Sequence, residues 1–318
     1  MTRTSEPAEA EAMDISLADK IVPDSQLGLL MRLLPASVRP YALLARFDRP
    51  IGWWLLFWPC AWGVLLAGGA RSDWQLILWM LLGAIAMRGA GCVYNDIVDA
   101  DLDRQVARTR NRPVASGAVS VRSAWIWLAM LAAIGLIVLL QLPRVAQFVA
   151  LGSIAPVAAY PFMKRITWWP QAWLGIVFSW GLPVGWVAVA GHFPLAGWLL
   201  YTGSIAWVIG YDTIYAVQDV EDDALVGIRS SALALGGKVR GGVAAFYAGA
   251  VILWGVAFWL VRPDVLALAA LLPAALHLVW QVVTLRADDG ASALARFRAN
   301  RTTGLLVALA CLVVGATA

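Results

Sequence analysis

Charged side chains are scarce in this 318-residue chain, and histidine and cysteine are scarcer still. Charged residues make up 14% of the sequence, whereas hydrophobic residues make up 61%. The two histidines and three cysteines are far apart, so no spacing typical of a zinc site, a redox pair or a catalytic triad is present. The net charge is +4, and no basic stretch is interleaved with aromatic residues, which excludes a typical nucleic-acid-binding surface. The composition is instead typical of an integral membrane protein.

The first thirty residues are polar and contain six acidic residues. Secretory signal peptides begin with basic residues and mitochondrial transit peptides are poor in acids, so this segment resembles neither. We therefore expect a polar N-terminal tail over residues 1–40 and a single membrane domain over residues 41–318. We also expect a bacterial cytoplasmic (inner) membrane rather than a mitochondrial inner membrane.

Long apolar blocks fill most of the chain after residue 40, and several are close to the ~20 residues that a helix needs to span a bilayer. They predict an all-α integral membrane protein with about nine transmembrane helices. The predicted helices cover residues 51–69, 74–95, 123–141, 145–161, 171–190, 196–218, 242–261, 265–285 and 302–318.

Basic residues fall almost entirely on one of the two sides that these spans would create. Of the 24 Lys and Arg residues, twenty lie on the side shared with the N-terminus, three lie on the opposite side, and Arg88 lies inside the second span. The positive-inside rule then places the N-terminus and the long loops in the cytoplasm. We expect the functional residues on that side, because the long loops are there.

Nine of the twenty acidic residues fall in two short segments. The first segment, residues 95–103, reads Asn-Asp-Ile-Val-Asp-Ala-Asp-Leu-Asp, and the second extends from Asp212 to Asp223. Both contain an amide followed by Asp-x-x-Asp, 123 residues apart, at the same end of a predicted span. This pattern indicates an internal repeat, whose two-fold arrangement would direct both segments into one cavity.

Helical periodicity places three acids of each segment on one helix face. The two sets are Asp96, Asp99 and Asp103, and Asp212, Asp219 and Asp223. Like charges on one face are unfavourable unless a cation lies there, and magnesium favours carboxylates together with phosphate oxygens. Two facing clusters would suit a diphosphate leaving group held through magnesium, leaving an allylic cation. The alternative is that these acids cap helices or pair with arginines.

The sequence allows more than one role for several other charged residues. Arg88 lies two to three turns inside a span, where a charge indicates a functional site by default, although a structural ion pair is the alternative. Lys164 and Arg165 either bind an anionic substrate or anchor the end of a span at the interface. His192 and His277 stand alone in apolar runs and are not expected to be catalytic.

Asn-Asp-x-x-Asp-x-x-x-Asp at 95–103, paired with Asp-x-x-x-Asp at 219–223, resembles the signature of the UbiA superfamily of intramembrane prenyltransferases. Further stretches are similar to the members of that family that prenylate 4-hydroxybenzoate in ubiquinone biosynthesis. They are residues 46–52 (Arg-Phe-Asp-Arg-Pro-Ile-Gly), 111–117 (Asn-Arg-Pro-Val-Ala-Ser-Gly), 160–165 (Tyr-Pro-Phe-Met-Lys-Arg), Pro170-Gln171 and Tyr211-Asp212-Thr213. The resemblance covers the chain from about residue 40 onward.

The resemblance implies a nine-helix bundle in the lipid bilayer, dependence on Mg2+, a polyprenyl diphosphate donor and 4-hydroxybenzoate as acceptor. The implied metal ligands are Asn95, Asp96, Asp99, Asp103, Asp219 and Asp223. The implied catalytic residues are Asp96, Asp99, Asp219 and Asp223. The expected substrate contacts are Arg46, Arg88, Arg112, Lys164, Arg165 and Asp212. The ring carbon ortho to the phenol hydroxyl would attack the allylic cation, and a carboxylate or the released diphosphate would take the ring proton.

Two alternatives remain open. A related enzyme could use the same chemistry on naphthoate, homogentisate, haem or a chlorin. An ion-coupled transporter also combines intramembrane carboxylates with an internal repeat, but it would need acids near the middle of the bilayer, and here they lie at helix ends.

Overall fold

The computed structural model describes residues 31, 33–105, 109–220, 224–225 and 227–316. Over these residues the secondary structure is helical, without a strand, as the apolar blocks predict. The α-helices are α1 (Arg39–Leu44), α2 (Ile51–Leu66), α3 (Trp74–Val98), α4 (Ala100–Gln105), α5 (Val121–Leu140), α6 (Arg144–Gly152), α7 (Ile154–Ile166), α8 (Pro170–Ser179), α9 (Gly181–Ala190), α10 (Leu195–Ala216), α11 (Ser231–Leu235), α12 (Val239–Val261), α13 (Val265–Thr284) and α14 (Gly290–Gly315). The predicted tail over residues 1–40 lies mostly outside the described residues, so the division at residue 40 stays a prediction.

Seven helical segments in the described part of the chain are long and apolar enough to cross a membrane. Helices α6 and α7 together form one of them, and α8 and α9 form another. The predicted count of nine is not confirmed, because α2 has only 16 residues and α10 is outside the set of seven. Helix α10 has 22 residues, but its glycines, tyrosines and Asp212 reduce its hydropathy.

Tryptophan rings form the centre of the largest core and join the two halves of the bundle. The rings of Trp62 on α2, Trp207 on α10 and Trp254 on α12 lie 5.1–6.2 Å apart, and all three side chains are fully buried. The indole N–H of Trp62 donates to the Gly304 carbonyl oxygen of α14 at 2.9 Å. Because aromatic pairs at these distances have preferred geometries, this cluster fixes how four helices pack.

A buried amide network reinforces the second half of the bundle. Asn300 of α14 accepts from the Trp207 indole at 2.7 Å and donates to Gln281 of α13 at 2.9 Å. The Asn300 side-chain nitrogen also lies 3.2 Å from the Tyr247 hydroxyl of α12. Interhelical hydrogen bonds between buried polar side chains stabilise helix packing inside a bilayer. They hold α10, which carries Asp212, against its neighbours.

Both acidic segments lie where a long helix ends. Helix α3 ends at Val98, Asp99 is its C-cap, and α4 continues the chain through Asp103. Helix α10 ends at Ala216 and continues into a 3₁₀ turn over Val217–Asp219. The first segment is therefore two short helical pieces rather than one continuous helix. All three of its in-register acids are nevertheless buried.

Candidate active site

Asp96 is held by two arginines from distant parts of the chain. An Arg46 Nη lies 2.9 and 3.0 Å from the two Asp96 carboxylate oxygens. Arg112 lies 3.5 Å from Asp96 and donates to Asp103 at 2.9 Å. Asp96 is 2% exposed and Asp103 is 4% exposed. A buried carboxylate requires such partners, because an uncompensated charge in this environment would be strongly unfavourable.

Asp99 is held from the opposite direction by the end of α7. Its two carboxylate oxygens accept from Lys164 Nζ at 2.5 Å and from an Arg165 Nη at 3.1 Å. Asp99 has no exposed surface, whereas Lys164 and Arg165 are 23% and 49% exposed. Both basic residues lie in the last turn of α7, where the partial negative charge of the helix end also favours them.

Arg46 adopts an unusual backbone conformation to reach its partner. Its φ of 58° makes it the one non-glycine residue with positive φ in the described part of the chain. This conformation is sterically unfavourable for most side chains, so it persists because the surrounding contacts hold it. Burial would lower the pKa of Arg46, but the Asp96 carboxylate raises the pKa above its ordinary value. The segment between α1 and α2 thus delivers one fixed positive charge to the first acidic motif.

Asp103 is the least compensated acid of the first motif. Burial raises its pKa, and the Arg112 guanidinium opposes that rise only in part. The neighbouring Asp96 and Asp99 carboxylates raise the pKa of Asp103 further. Asp103 contacts one basic side chain, whereas Asp96 and Asp99 each contact two. By contrast, Asp101, which does not belong to the in-register set, is 92% exposed and pairs with Arg104 at 2.6 Å.

The two acidic motifs meet at one cavity of about 260 Å³. The first motif contributes Asn95 and Asp103 to its wall, and the second contributes Asp212 and Asp219. The basic side chains on the wall are those of Arg112, Lys164 and Arg229, and the aromatic ones are those of Tyr160 and Tyr215. The convergence predicted from the internal repeat is therefore present. Asp223 lies outside the described residues.

The expected six-residue metal set stays a prediction. In the part of the chain that the structure describes, no three His, Cys, Asp or Glu side chains come together as a metal-binding group. Asp96 and Asp99 instead have basic residues as counter-charges. The amide and carboxylate oxygens on the cavity wall are the donors that magnesium prefers when it also binds phosphate oxygens.

Arg88 lies deep in the bundle, about 15 Å before the end of α3 at the helical rise of 1.5 Å per residue. Its guanidinium lies 5.5 Å from the Phe178 ring centroid, and one Nη donates to Cys92 Sγ at 2.5 Å. Its Nε is buried and has no acceptor among the described residues. No described carboxylate lies within ion-pair distance of Arg88, which argues against the structural ion-pair alternative.

The cavity also contains residues to which the sequence assigned no role. Gln171 and Ser230 are both buried, at 4% and 2% exposed, and Arg229 and Ser230 come from the segment before α11. Pro170-Gln171 was among the stretches that resemble the family. The amide of Gln171 is neutral, however, so it does not contribute to the charge pattern from which the other site residues were predicted. His277 hydrogen-bonds to Thr303 at 2.9 Å, and neither it nor His192 lines the cavity.

Comparison with known proteins gives one consistent family. A family model described as the UbiA prenyltransferase family matches residues 56–315. The mitochondrial 4-hydroxybenzoate polyprenyltransferase of Drosophila pseudoobscura pseudoobscura is 40% identical over 285 residues, which are 89% of this chain and 72% of that protein. The mitochondrial 4-hydroxybenzoate polyprenyltransferase of Homo sapiens is 39% identical over 307 residues, which are 95% of this chain and 80% of that protein.

Solved structures share the fold. The apo structure of a UbiA homologue from Aeropyrum pernix K1 has a TM-score of 0.69 and 27% identity, and the match covers 82% of this chain and 97% of that one. A UbiA homologue from Archaeoglobus fulgidus bound to GPP and Mg2+ has a TM-score of 0.65 and 18% identity, over 88% of this chain and all of that one. At 18% identity the second likeness concerns the fold alone.

These relatives correct the prediction of which membrane the protein occupies. Their names place them in mitochondria, so the expectation of a bacterial cytoplasmic membrane is wrong. The count of basic residues distinguishes the two sides of a membrane, but it carries no information about which membrane the protein occupies. The acidic N-terminal residues that weighed against mitochondria lie outside the described part of the chain. The multi-span membrane architecture itself is confirmed.

Proposed function

The chain belongs to the UbiA prenyltransferase family, and on that premise we propose that it prenylates 4-hydroxybenzoate. The polyprenyl group would come from a polyprenyl diphosphate and attach to the ring carbon ortho to the hydroxyl, a step of ubiquinone biosynthesis. The observation that carries the proposal is the convergence of both acidic motifs and several basic residues on one cavity. Relatives about 40% identical over most of the chain, which are named for this activity, support the acceptor.

A divalent metal, and specifically Mg2+, fits the oxygen donors of the cavity. Asn95, Asp103, Asp212 and Asp219 would hold it there, and the chain's Asp223 would complete the second motif. When bound, magnesium neutralises the charge on the diphosphate and makes it a better leaving group. The UbiA homologue of Archaeoglobus fulgidus that binds GPP together with Mg2+ supports this assignment.

The basic residues of the cavity would bind the diphosphate oxygens. Lys164 and Arg112 lie on the wall, and Arg165 lies beside Lys164 at the end of α7. Asp99 orients Lys164 and Arg165, and Asp96 orients Arg112. Lys164 and Arg165 are partly exposed, so both retain hydrogen-bonding capacity toward a phosphate. In this arrangement Asp96 and Asp99 act chiefly by fixing their cations.

Arg88 would bind the acceptor carboxylate. Arg88 is half-buried, its guanidinium lies against the Phe178 ring, and its buried Nε has no acceptor among the described residues. A guanidinium with free N–H donors favours a carboxylate, because it can bind the two carboxylate oxygens through two parallel hydrogen bonds. The acceptor would then lie deeper in the bundle than the diphosphate, so the ring carbon and the allylic carbon can meet between them.

In the reaction, the allylic carbon–oxygen bond of the donor breaks and its electron pair leaves with the diphosphate. The ring carbon ortho to the hydroxyl forms the new bond, and the ring then loses one proton to a carboxylate or to the released diphosphate. The ring faces of Tyr160 and Tyr215 on the cavity wall can stabilise the positive charge on the allylic fragment.

The direct test is an assay of the purified protein in lipid nanodiscs with a radiolabelled polyprenyl diphosphate and several aromatic acids. We expect labelled product with 4-hydroxybenzoate, no product in excess chelator, and recovery when Mg2+ is added back. Product with naphthoate or homogentisate but not with 4-hydroxybenzoate would reject the acceptor. Full activity in excess chelator would reject the metal.

A further inference from the structure

Gln171 is a buried amide whose two ends have different surroundings. It is the second residue of α8, is 4% exposed and lines the cavity. Its Oε1 accepts from the backbone N–H of Ser231 at 3.0 Å. Because an N–H must face an acceptor, this contact fixes which end of the amide is oxygen. The Nε2 of Gln171 has no acceptor among the described residues.

The amide is also held rigidly. The Ser231 hydroxyl hydrogen-bonds to the Thr213 hydroxyl at 2.6 Å, and both side chains are fully buried. Thr213 directly follows Asp212 on α10. Helices α8, α10 and α11 are therefore joined at this point, and Gln171 Nε2 is oriented before any ligand arrives. A donor that is already oriented loses little entropy on binding.

The surroundings of this donor favour an anion. Gln171 shares the cavity wall with Lys164 and Arg229, at the end of the bundle that carries both acidic motifs. It lies in the first turn of α8, where the helix dipole places a partial positive charge, and Pro170 at the preceding position has no N–H to offer. Arg88, the proposed acceptor anchor, is not on this wall.

We propose that Gln171 Nε2 donates a hydrogen bond to a diphosphate oxygen of the prenyl donor. This assignment rests on the proposed function, because that function supplies the diphosphate. Negative charge on the diphosphate grows as the carbon–oxygen bond breaks. A fixed neutral donor therefore stabilises the transition state more than the bound substrate.

Two substitutions separate this role from a structural one. Gln171→Glu keeps the length and keeps an oxygen for the Ser231 N–H, but it replaces the free donor with a negative oxygen. Gln171→Met removes both ends of the amide. If Gln171 only held Ser231 in place, Gln171→Met would lose stability without a change in pyrophosphate affinity. Under our proposal both variants are impaired, and Gln171→Glu is impaired more.

The measurements are kcat, the KM of each substrate, and the Kd of inorganic pyrophosphate with Mg2+ by calorimetry. For Gln171→Glu we expect kcat to fall by about 100-fold or more, as on removal of an oxyanion donor. We expect the pyrophosphate Kd to rise by at least about tenfold, with an unchanged KM for the aromatic acid. Gln141→Glu adds the same charge at an exposed site and should match the wild type.

Wild-type kinetics and pyrophosphate affinity in Gln171→Glu would overturn the proposal. A raised KM for the aromatic acid with unchanged pyrophosphate affinity would also overturn it, by assigning Gln171 to the acceptor. Thermal unfolding of each variant shows whether it is folded, and Gln171→Met supplies the pyrophosphate Kd if Gln171→Glu does not fold. Pyrophosphate binding is measured without prenyl transfer. The role of Gln171 can therefore be rejected while the prenyltransferase activity is confirmed, and the activity can be rejected while the role of Gln171 is confirmed.

Discussion

Replacing Asp99 by asparagine tests the ion pairs that surround the first motif. The substitution keeps the shape of the side chain and removes one negative charge at a site with no exposed surface. Two positive side chains, Lys164 at 2.5 Å and Arg165 at 3.1 Å, then lose their counter-charge. Breaking a buried pair from one side destabilises a protein by about 3–5 kcal/mol. Because Lys164 and Arg165 are partly exposed, we expect the lower end, about 3 kcal/mol.

Asp101 provides a matched control two residues away. Its side chain is 92% exposed and its partner Arg104 is 52% exposed. An exposed pair of this kind contributes at most about 0.5 kcal/mol, so Asp101→Asn should unfold like the wild type. The same chemical change in the same motif is thereby compared at a buried and at an exposed position.

Thermal unfolding in detergent, followed by tryptophan fluorescence, measures the difference. At about 2 °C per kcal/mol for a chain larger than 250 residues, Asp99→Asn should lower Tm by roughly 5 °C relative to Asp101→Asn. The KM for polyprenyl diphosphate should also rise in Asp99→Asn, because Lys164 and Arg165 are no longer oriented. Equal Tm values in the two variants would refute the view that Asp99 stabilises the end of α7.

Three further variants test the residues assigned to the metal and to the aromatic acceptor. Asp103→Asn and Asp219→Asn each remove one charge from opposite motifs, at residues proposed to hold the metal. We expect kcat to fall by several orders of magnitude in both, since metal-linked charge stabilisation amounts to several kcal/mol; wild-type kcat in either would remove that motif from the reaction. Arg88→Ala should raise the KM for 4-hydroxybenzoate by about ten- to a hundredfold with little change for the diphosphate, because one charge-assisted contact is lost. Equal increases in both KM values would contradict the acceptor assignment.

The broad architecture followed from the sequence because bilayer chemistry leaves few choices. Apolar length predicted an all-α bundle, and the 123-residue spacing of the two motifs predicted that they meet at one cavity. The number of spans was harder to predict. The count of nine included α2, which has only 16 residues, and α10, whose polar and small residues reduce its hydropathy, and neither is among the seven spans. The apolar blocks at 145–161 and 171–190 were each predicted as one helix, but each is divided into two, at Ser153 and at Trp180.

The partners of the acids could not be read from periodicity. Helical spacing placed Asp96, Asp99 and Asp103 on one face and favoured a metal as their counter-charge. The structure places arginine and lysine side chains there, contributed by segments 50 to 66 residues away for Arg46, Lys164 and Arg165. Gln171 was missed for a different reason. Its importance comes from one unpaired amide nitrogen, which depends on where Ser231 lies and leaves no trace in charge or hydropathy.

The charge balance at the first motif has a consequence for the order of binding. Its three buried carboxylates contact four basic side chains, so the cluster carries one surplus positive charge. A lone divalent cation would have to compete with these basic residues, whereas a diphosphate would add the negative charge that the cluster lacks. We therefore expect Mg2+ to bind weakly by itself and at least about tenfold more tightly with inorganic pyrophosphate, because the two ligands neutralise each other in a site of low dielectric. Calorimetric titration of Mg2+ with and without pyrophosphate measures this coupling, and Asp101→Asn should leave it unchanged. Equal Mg2+ affinity in both titrations would mean that the basic residues do not oppose the metal, and that the acids are available to it before the prenyl donor arrives.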